Sequence, residues 1–190
     1  SSYKEAQASS QKLEWDAAMR REMQSLHDNK TWELVKPPKD QQVIDSKWVY
    51  KLKEDPLEDG KKIFKARMVA KGFTQKKGVD YNEVFSPVAK YSTIRLLCAL
   101  VAIFGLIMDQ MDVVTAFLYG LLDEVIFMRQ PMGFVKKGQE DLVCRLLKSL
   151  YGLKQAPRQW NRRFDDFMRA QGFSRSVFDP CVYIKHVSNE

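Results

Sequence analysis

The sequence is poor in the residues that build disulfide frameworks and metal clusters. Its 190 residues include only three cysteines and two histidines. Cys98, Cys144 and Cys181 are too scattered for a disulfide framework, and no second cysteine or histidine stands at the ligand spacing of a structural zinc site. The sequence therefore predicts a reducing compartment and a fold that an apolar core stabilises without cross-links.

The sequence also has no apolar run of membrane-spanning length, and its first residues do not have a signal-peptide pattern. The longest apolar run, residues 96–108, is shorter than the roughly 20 residues of a membrane span, and Arg95 and Asp109 bracket it. The chain begins with Ser1 and lacks the basic-then-apolar order of a signal peptide. We therefore expect no membrane partner, and we expect the chain to be a piece of a longer protein.

The positive charge of the chain is concentrated in one segment. Hydrophobic residues make up 45% and charged residues 29% of the chain, as in folded domains, and the formal net charge is +7. Residues 47–77 contain ten basic and four acidic residues and so carry +6 of that charge. Such a segment suits a polyanion such as nucleic acid or a nucleoside triphosphate. The alternative is a solvated basic face that serves solubility alone.

The spacing of apolar residues predicts helices and strands within one unit of the α+β class. Helices are expected at residues 11–27, at 93–104 with Gly105 as the left-handed cap, and from Pro157 to Gly172. Alternation over residues 43–53, a turn at Asp59-Gly60 and a strand at 63–73 predict a β-hairpin with one apolar and one mainly basic face. Further short strands are expected at 125–128, 142–146 and 181–184.

Asp112 is the most informative single residue in the pattern. Residues 106–114 are mostly apolar or β-branched, and we predict that they form the centre of a mixed sheet after a buried helix. A carboxylate at the end of such a strand needs a metal, a cation or a hydrogen-bond donor. Asp112 is thus a candidate Mg²⁺ ligand, or alternatively a cap that accepts a hydrogen bond from a backbone N–H of the next turn. Asp109 is expected to be solvated.

Seven motifs together resemble one known family. Residues 110–118, QMDVVTAFL, resemble the first catalytic motif of the reverse transcriptases of copia-type LTR retrotransposons. Six other motifs match that family in order and spacing, so that the resemblance spans Trp15 to Tyr183. They are KWVYK (47–51), KARMVAKGF (65–73), FSPV (85–88), TIR (93–95), QPMGF (130–134) and KSLYGLKQAPRQW (148–160).

The resemblance implies a right-hand polymerase fold with a mixed sheet. Residues 1–104 would be mainly fingers and N-terminal helices, including the basic hairpin 47–73, and residues 105–190 a partial palm with a fingers-like insert. The family's second motif, an aromatic-x-Asp-Asp turn, is not found, so we expect a chain truncated before that motif and inactive alone. Phe127 and Met132 stand where the family usually has Tyr and Glu. Asp165-Asp166 follows Phe164 directly, but we expect it to face solvent from a helix, with Trp160, Phe164 and Phe167 buried in the palm.

The resemblance also assigns roles to individual residues. Asp112 would bind two Mg²⁺ ions, with Mn²⁺ as an alternative, and the carbonyl of Val113 would bind one of them. Phe117 would lie under the sugar and exclude a 2′-hydroxyl by its bulk. The remaining assignments are Lys51 or Lys53 together with Arg67 at the triphosphate, Tyr151 and Gly152 at the base and sugar, and Lys65, Lys71, Lys154, Gln155 and Arg158 at the template or primer.

The implied function is part of an RNA-directed DNA polymerase that copies retrotransposon RNA. Its partners would be an RNA or DNA template with its primer, deoxynucleoside triphosphates, and the integrase and RNase H of the same polyprotein in cis. The location implied is intracellular, in a cytoplasmic virus-like particle or in the nucleus. The alternatives are a non-catalytic nucleic-acid-binding remnant of a retroelement and an inert remnant.

Overall fold

The chain contains both helices and strands, as the sequence predicts. The computed structural model describes residues 2–55, 58 and 60–186. In chain order the elements are α1 (Tyr3–Ala8), α2 (Lys12–Asp28), β1 (Trp32–Val35), β2 (Val43–Ile44), β3 (Ser46–Glu54), β4 (Lys62–Ala70), α3 (Tyr91–Phe104), β5 (Leu121–Met128), β6 (Val143–Lys148), α4 (Ala156–Ala170), β7 (Ser174–Arg175) and β8 (Tyr183–Ile184), with 3-10 turns at Gly72–Thr74 and Ala116–Tyr119.

Strands β3 and β4 form the predicted basic hairpin. They pair antiparallel, with a register that runs from Ser46 opposite Ala70 to Glu54 opposite Lys62. Because side chains alternate along a strand, Lys51 and its partner Lys65 share one face, while buried Trp48 and its partner Met68 share the other. The two faces of the hairpin are therefore confirmed, although Val43–Ile44 forms the separate strand β2 and β4 ends at Ala70. The turn predicted at Asp59-Gly60 falls partly outside the described residues.

Helix α2 covers the hairpin through aromatic packing and through hydrogen bonds. The ring of Trp15 lies edge-on to Tyr50 and Phe64, with centroid distances of 5.2 and 4.7 Å. Glu22 accepts a hydrogen bond of 3.1 Å from the backbone N–H of Met68, and Arg21 donates one of 3.1 Å to the carbonyl of Phe64. Side chains of α2, rather than a third strand, thus satisfy these backbone groups of β4.

A four-stranded mixed sheet lies beside the hairpin. Its order is β1-β6-β5-β2, in which β6 is antiparallel to both β1 and β5, and β2 is parallel to β5. Strand β5 includes the strand predicted at 125–128, and β6 overlaps the strand predicted at 142–146. The core combines this sheet with α2 and the hairpin, and its fully buried side chains include Met19, Leu26, Met68, Ile126 and Met128.

The segment predicted as the centre of the sheet does not form a strand. Helix α3 ends as predicted at Gly105, which has φ +62°, but residues 106–114 then run without strand pairing. Ile107 and Met111 are 93% and 90% exposed, and α3 itself has no buried residue. The predictions of a central strand and of a buried helix are wrong because apolar spacing identifies what a segment could bury but does not supply neighbours, and no described strand runs beside residues 106–114.

One buried carboxylate ties α3 to the segment before β8. Asp179 accepts hydrogen bonds from the hydroxyl of Thr93 at 2.7 Å, from the backbone N–H of Cys181 at 2.9 Å and from that of Lys90 at 3.3 Å. The Thr93 hydroxyl, followed by these N–H groups, holds the pKa of Asp179 below its ordinary value. The start of α3 is therefore anchored although its apolar side chains are not covered.

Helix α4 begins at Ala156, with Pro157 in its first turn as predicted. Phe167 is 54% exposed, so its predicted burial is wrong, whereas Trp160 and Phe164 are half-buried. Of the pair Asp165-Asp166, predicted to face solvent, Asp166 is exposed as expected. The prediction is wrong for Asp165, whose carboxylate accepts hydrogen bonds from Arg169 Nε at 2.8 Å and from the hydroxyl of Tyr183 at 2.9 Å. The short hairpin of β7 and β8 brings Tyr183 to Asp165, a contact that helical periodicity alone could not predict.

None of the helices in the described ranges has the length and apolar content of a bilayer span.

Candidate functional site

A cleft of about 440 Å³ joins four separate parts of the chain. One wall is α2 and another is β4, while the segment that follows α3 and the turn after β6 complete it. Six of the residues predicted from the sequence line it, and these are Lys65, Arg67, Asp112, Val113, Phe117 and Tyr151. The fold thus brings together residues that are more than 80 positions apart in the sequence.

Three of these side chains contact one another in the cleft. The ring of Tyr151 lies edge-on to Phe117 at a centroid distance of 4.9 Å, and the guanidinium carbon of Arg67 lies over the Tyr151 ring, 5.1 Å from its centroid. The hydroxyl of Ser149 donates a hydrogen bond to the carbonyl of Phe117. This contact and the two ring contacts define the position of the aromatic pair relative to β4.

The turn that carries Tyr151 lies directly against the end of β4. The backbone N–H of Ala70 donates a hydrogen bond of 2.7 Å to the carbonyl of Tyr151. Gly152 has φ +91°, and a Cβ atom there would lie 2.1 Å from the carbonyl oxygen of Ala70 and 2.6 Å from Cγ1 of Val69. Glycine is required at position 152 for this close approach. Gly152 does not line the cleft, although the family resemblance assigns it to the base and sugar.

The cationic side of the cleft belongs to the basic face of the hairpin. Arg67 and Lys65 line the cleft, and Lys51 lies directly opposite Lys65 on the same face. Burial, followed by the positive charges of Arg67 and Lys53, lowers the pKa of Lys65, while Glu22 and Asp112 act in the opposite direction. The positive charges are therefore close enough to repel one another, an arrangement that an anionic ligand would relieve.

Asp112 lies exposed at the cleft rather than buried at a strand end. Within residues 2–55, 58 and 60–186, it makes no hydrogen bond or ion pair, so the alternative of a turn-capping carboxylate is not observed. Thr115, three residues later, has φ +56°, a left-handed conformation that is uncommon outside glycine. This backbone bend carries the chain from the exposed segment into the 3-10 turn that contains Phe117.

Glu22 is a second acid of the cleft that sequence reasoning missed. Burial raises the pKa of Glu22, against the hydrogen bond from Met68 and the positive charges of Arg67 and Lys65. The signal was present in the sequence, since Glu22 falls on the apolar stripe of α2 that includes Met19 and Leu26. A charged residue on such a stripe indicates a specific partner.

Among the described residues, the cleft is lined by two acidic side chains, Asp112 and Glu22. No group of three or more His, Cys, Asp or Glu side chains in those residues could hold an ion. Asp112 could supply one oxygen ligand to a hydrated Mg²⁺, which accepts few protein ligands when phosphates complete its shell. The carboxylate of Glu22 already accepts the Met68 N–H. A pair of ions requires more free carboxylates than this cleft provides.

Four residues assigned to template or primer lie outside the cleft. Lys71 pairs with Asp45 at 3.4 Å, Lys154 lies over the ring of Tyr81 at 5.2 Å, and Arg158 is half-buried in the first turn of α4. The fourth, Gln155, has a relative exposure of 0% and therefore offers no surface for a nucleic-acid contact.

Gln155 instead belongs to a buried polar network. It accepts a hydrogen bond of 3.1 Å from Gln75 and donates to the carbonyl of Asp80 at 3.0 Å and to Glu124 at 3.2 Å. Gln75 in turn accepts from the backbone N–H of Lys154 at 2.9 Å. The network therefore fixes the chain just after Tyr151. Sequence reasoning missed Gln75 because no pattern marks an isolated glutamine in a loop.

The chain is similar in sequence to a known protein family and to several known proteins. Residues 29–190 match the family model described as reverse transcriptase (RNA-dependent DNA polymerase). The chain is 50% identical over 188 residues to the Retrovirus-related Pol polyprotein from transposon TNT 1-94 of Nicotiana tabacum, covering 98% of this chain and 14% of the polyprotein. It is 40% identical over 172 residues to the corresponding polyprotein from transposon RE2 of Arabidopsis thaliana, covering 90% and 12%.

Less similar relatives are also polyproteins of transposons. The chain is 28% identical over 174 residues to the Transposon Ty1-ER2 Gag-Pol polyprotein of Saccharomyces cerevisiae, covering 85% of this chain and 9% of the polyprotein. No solved structure matches the chain. It spans a seventh or less of the length of these relatives. Because the family model matches most of the chain and the relatives are Pol polyproteins of retrotransposons, this chain belongs to the reverse transcriptase family, in its copia-type LTR retrotransposon branch.

Proposed function

We propose that this chain contributes the nucleotide cleft of an RNA-directed DNA polymerase that copies retrotransposon RNA into DNA. The observation that supports this most directly is the convergence of Arg67, Asp112, Phe117 and Tyr151 on one cleft. In this proposal residues 1–104 form mainly the fingers and residues 105–190 part of the palm of a right-hand polymerase. Membership of the reverse transcriptase family supports the assignment.

The cationic wall would bind the triphosphate of the incoming nucleotide. Arg67 can bind phosphate oxygens bidentately through its planar N–H fork, whereas Lys65 acts as a point charge. Lys51 lies opposite Lys65, and Lys53 lies opposite Ile63 one pair further along the same face. Both lysines would add to the positive potential without contacting the ligand within the cleft.

Asp112 and the carbonyl of Val113 would hold divalent ions, which the family generally uses. In the complete polymerase, with further carboxylates, a pair of Mg²⁺ or Mn²⁺ ions would lower the pKa of the primer 3′-hydroxyl and neutralise charge on the triphosphate. Asp112 is exposed, so its oxygens are accessible to such ions. Phe117 would lie under the sugar, where its bulk leaves no space for a 2′-hydroxyl, and Tyr151 would lie beside it.

The partners follow from the same assignment. A template with its primer would run along the basic hairpin, with Lys71, Lys154 and Arg158 near the nucleic acid. The rest of the polyprotein, including integrase and RNase H, would act in cis, within a cytoplasmic particle or in the nucleus. A non-catalytic nucleic-acid-binding module is the second candidate, favoured by the exposed basic face and by a cleft in which Asp112 is the one carboxylate without a described partner.

Selection of the sugar tests the nucleotide assignment. With Mg²⁺ present, the chain is expected to bind dATP more tightly than ATP, and F117A is expected to reduce that preference about tenfold because a bulky ring no longer excludes the 2′-hydroxyl. Equilibrium titration of both nucleotides measures the ratio. F85A, which removes a 69% exposed ring elsewhere, should leave the ratio unchanged. Equal affinities for dATP and ATP in the unsubstituted chain would contradict the assignment.

Primer extension tests whether the chain acts alone. Because Asp112 is the one acid of the cleft whose carboxylate has no described partner, we expect no extension of a labelled primer on an RNA template above the level of D112A, with Mg²⁺ and all four dNTPs. Extension that D112A abolishes would refute this expectation. Salt-sensitive primer–template binding that survives D112A, but is lost on charge reversal at Lys51, Lys65 and Arg67, would support the binding module.

A further inference from the structure

We propose that Tyr151 is a positioning residue, which holds the guanidinium of Arg67 over the cleft ready for a triphosphate. The inference rests on the proposed function and deepens it. Tyr151 would act through the face of its ring on Arg67, in addition to any contact of its own with a base or sugar. This role of Tyr151 does not depend on the nucleoside part of the ligand.

The geometry of the pair carries the proposal. The guanidinium carbon of Arg67 lies 5.1 Å from the centroid of the Tyr151 ring, within the distance at which a cation is attracted to an aromatic face. Tyr151 is itself held, because its ring forms a T-shaped pair with Phe117 and its backbone carbonyl accepts the N–H of Ala70. Ala70 ends the strand that carries Arg67. Strand β4 therefore positions both the guanidinium of Arg67 and, through Ala70, the residue that carries the ring.

A competing partner for Arg67 lies in the same cleft. Glu22 lines the cleft and interacts electrostatically with Arg67. In the described ranges, however, Arg67 makes no ion pair within 4 Å with any carboxylate, and its guanidinium lies on the tyrosine ring instead. A guanidinium bound to Glu22 would have to exchange that carboxylate for a phosphate. The ring face avoids the exchange, because it attracts the cation while the N–H groups in the guanidinium plane remain free to bind oxygens.

The consequence is preorganisation of the phosphate-binding group. An arginine side chain has many rotamers, and immobilising it on binding costs affinity unless the free protein already restricts it. Removal of the ring is therefore expected to weaken binding of a bare triphosphate, even though such a ligand has no base or sugar for Tyr151 to contact.

The test uses inorganic tripolyphosphate as the ligand at low ionic strength. Y151L is expected to weaken its binding about three- to tenfold, the range expected for loss of one cation–π contact. Y151F retains the ring face and should recover most of the affinity. Y91L makes the same change at a tyrosine that is 83% exposed and serves as the control. If Y151L does not fold, as judged by circular dichroism, Y151M takes its place.

A double-mutant cycle with R67A decides whether Tyr151 acts through Arg67. In the R67A background, Y151L should have no further effect on tripolyphosphate binding. In the E22Q variant, the glutamine amide can still accept the Met68 N–H, but no carboxylate competes for Arg67. Y151L should therefore lower tripolyphosphate affinity less in E22Q than in the unsubstituted chain. An equal loss with and without Arg67, or no loss in Y151L, would overturn the proposal and leave the proposed function intact. If R67A itself leaves tripolyphosphate binding unchanged, the proposed function fails as well.

Discussion

Replacement of Arg67 by alanine is expected to lower the affinity for a deoxynucleoside triphosphate about 10- to 100-fold. The expectation follows from the loss of charge-assisted hydrogen bonds, each of which contributes about 1.5–3 kcal/mol. Arg67 lies on the basic face of the hairpin, lines the cleft, and makes no described ion pair that a ligand would have to break. Arg67→Lys should lose less, because lysine keeps the charge but lacks the planar fork.

One control variant distinguishes a specific contact of Arg67 from the effect of net charge. Arg20→Ala removes the same charge from α2, where Arg20 borders a different cleft beside Gly133 and Phe134. Its effect on dATP affinity, measured by isothermal titration with Mg²⁺, should stay within about twofold at 0.15 M salt because screening is strong beyond about 8 Å. Equal losses in the Arg20 and Arg67 variants would mean that only net charge attracts the nucleotide, and the assignment of Arg67 would be wrong.

Replacement of Gly152 by alanine is expected to lower the free energy of unfolding by about 3 kcal/mol or more. Part of this loss is the cost of about 1 kcal/mol or more for a non-glycine residue at positive φ. The rest arises because the new Cβ would lie 2.1 Å from the carbonyl oxygen of Ala70, so that the turn must move away from β4. The hydrogen bond from Ala70 to Tyr151 should break as a result, and triphosphate affinity should fall.

Gly78→Ala is the matched control for this prediction. Gly78 has φ +81°, close to the +91° of Gly152, but a Cβ there would have nothing within 4 Å. Urea denaturation should therefore show a loss of only about 1 kcal/mol for Gly78→Ala, and the difference between the two variants measures the contact with β4. Equal losses would show that the turn does not depend on its close approach to the strand.

The local spacing of apolar and polar residues was sufficient to predict those helices and strands whose contacts are close in sequence. The hairpin was predictable because alternation over β3 and β4, with a turn between them, specifies both the pairing and the two faces. Helices α2, α3 and α4 were predictable because their apolar spacing and their capping residues are local signals, such as Gly105 after α3. Asp112 stood out from the residue pattern alone, whereas the other candidate site residues were named only as a set, through the ordered motifs of the family.

Sequence patterns failed where burial depends on a partner that lies elsewhere in the chain. Residues 106–114 have the composition of a central strand but lie exposed, because no described strand pairs with them. Gln155 stands within a motif assigned to nucleic acid, yet its buried amide already forms hydrogen bonds with Gln75, Asp80 and Glu124. Glu22 was missed because helical spacing predicts which face is covered but not which backbone group lies there.

The sequence by itself determined the family, the concentration of positive charge in one hairpin and the separation of that hairpin into an apolar and a basic face. These properties depend on residue order and on the alternation of side chains along a strand. Only the tertiary structure decided that Arg67, Asp112, Phe117 and Tyr151 share one cleft, and that Arg67 lies on a ring rather than on Glu22. The reason is that α2 and the Gly152 turn pack against β4 through contacts between residues distant in the chain, and no local pattern encodes such distances.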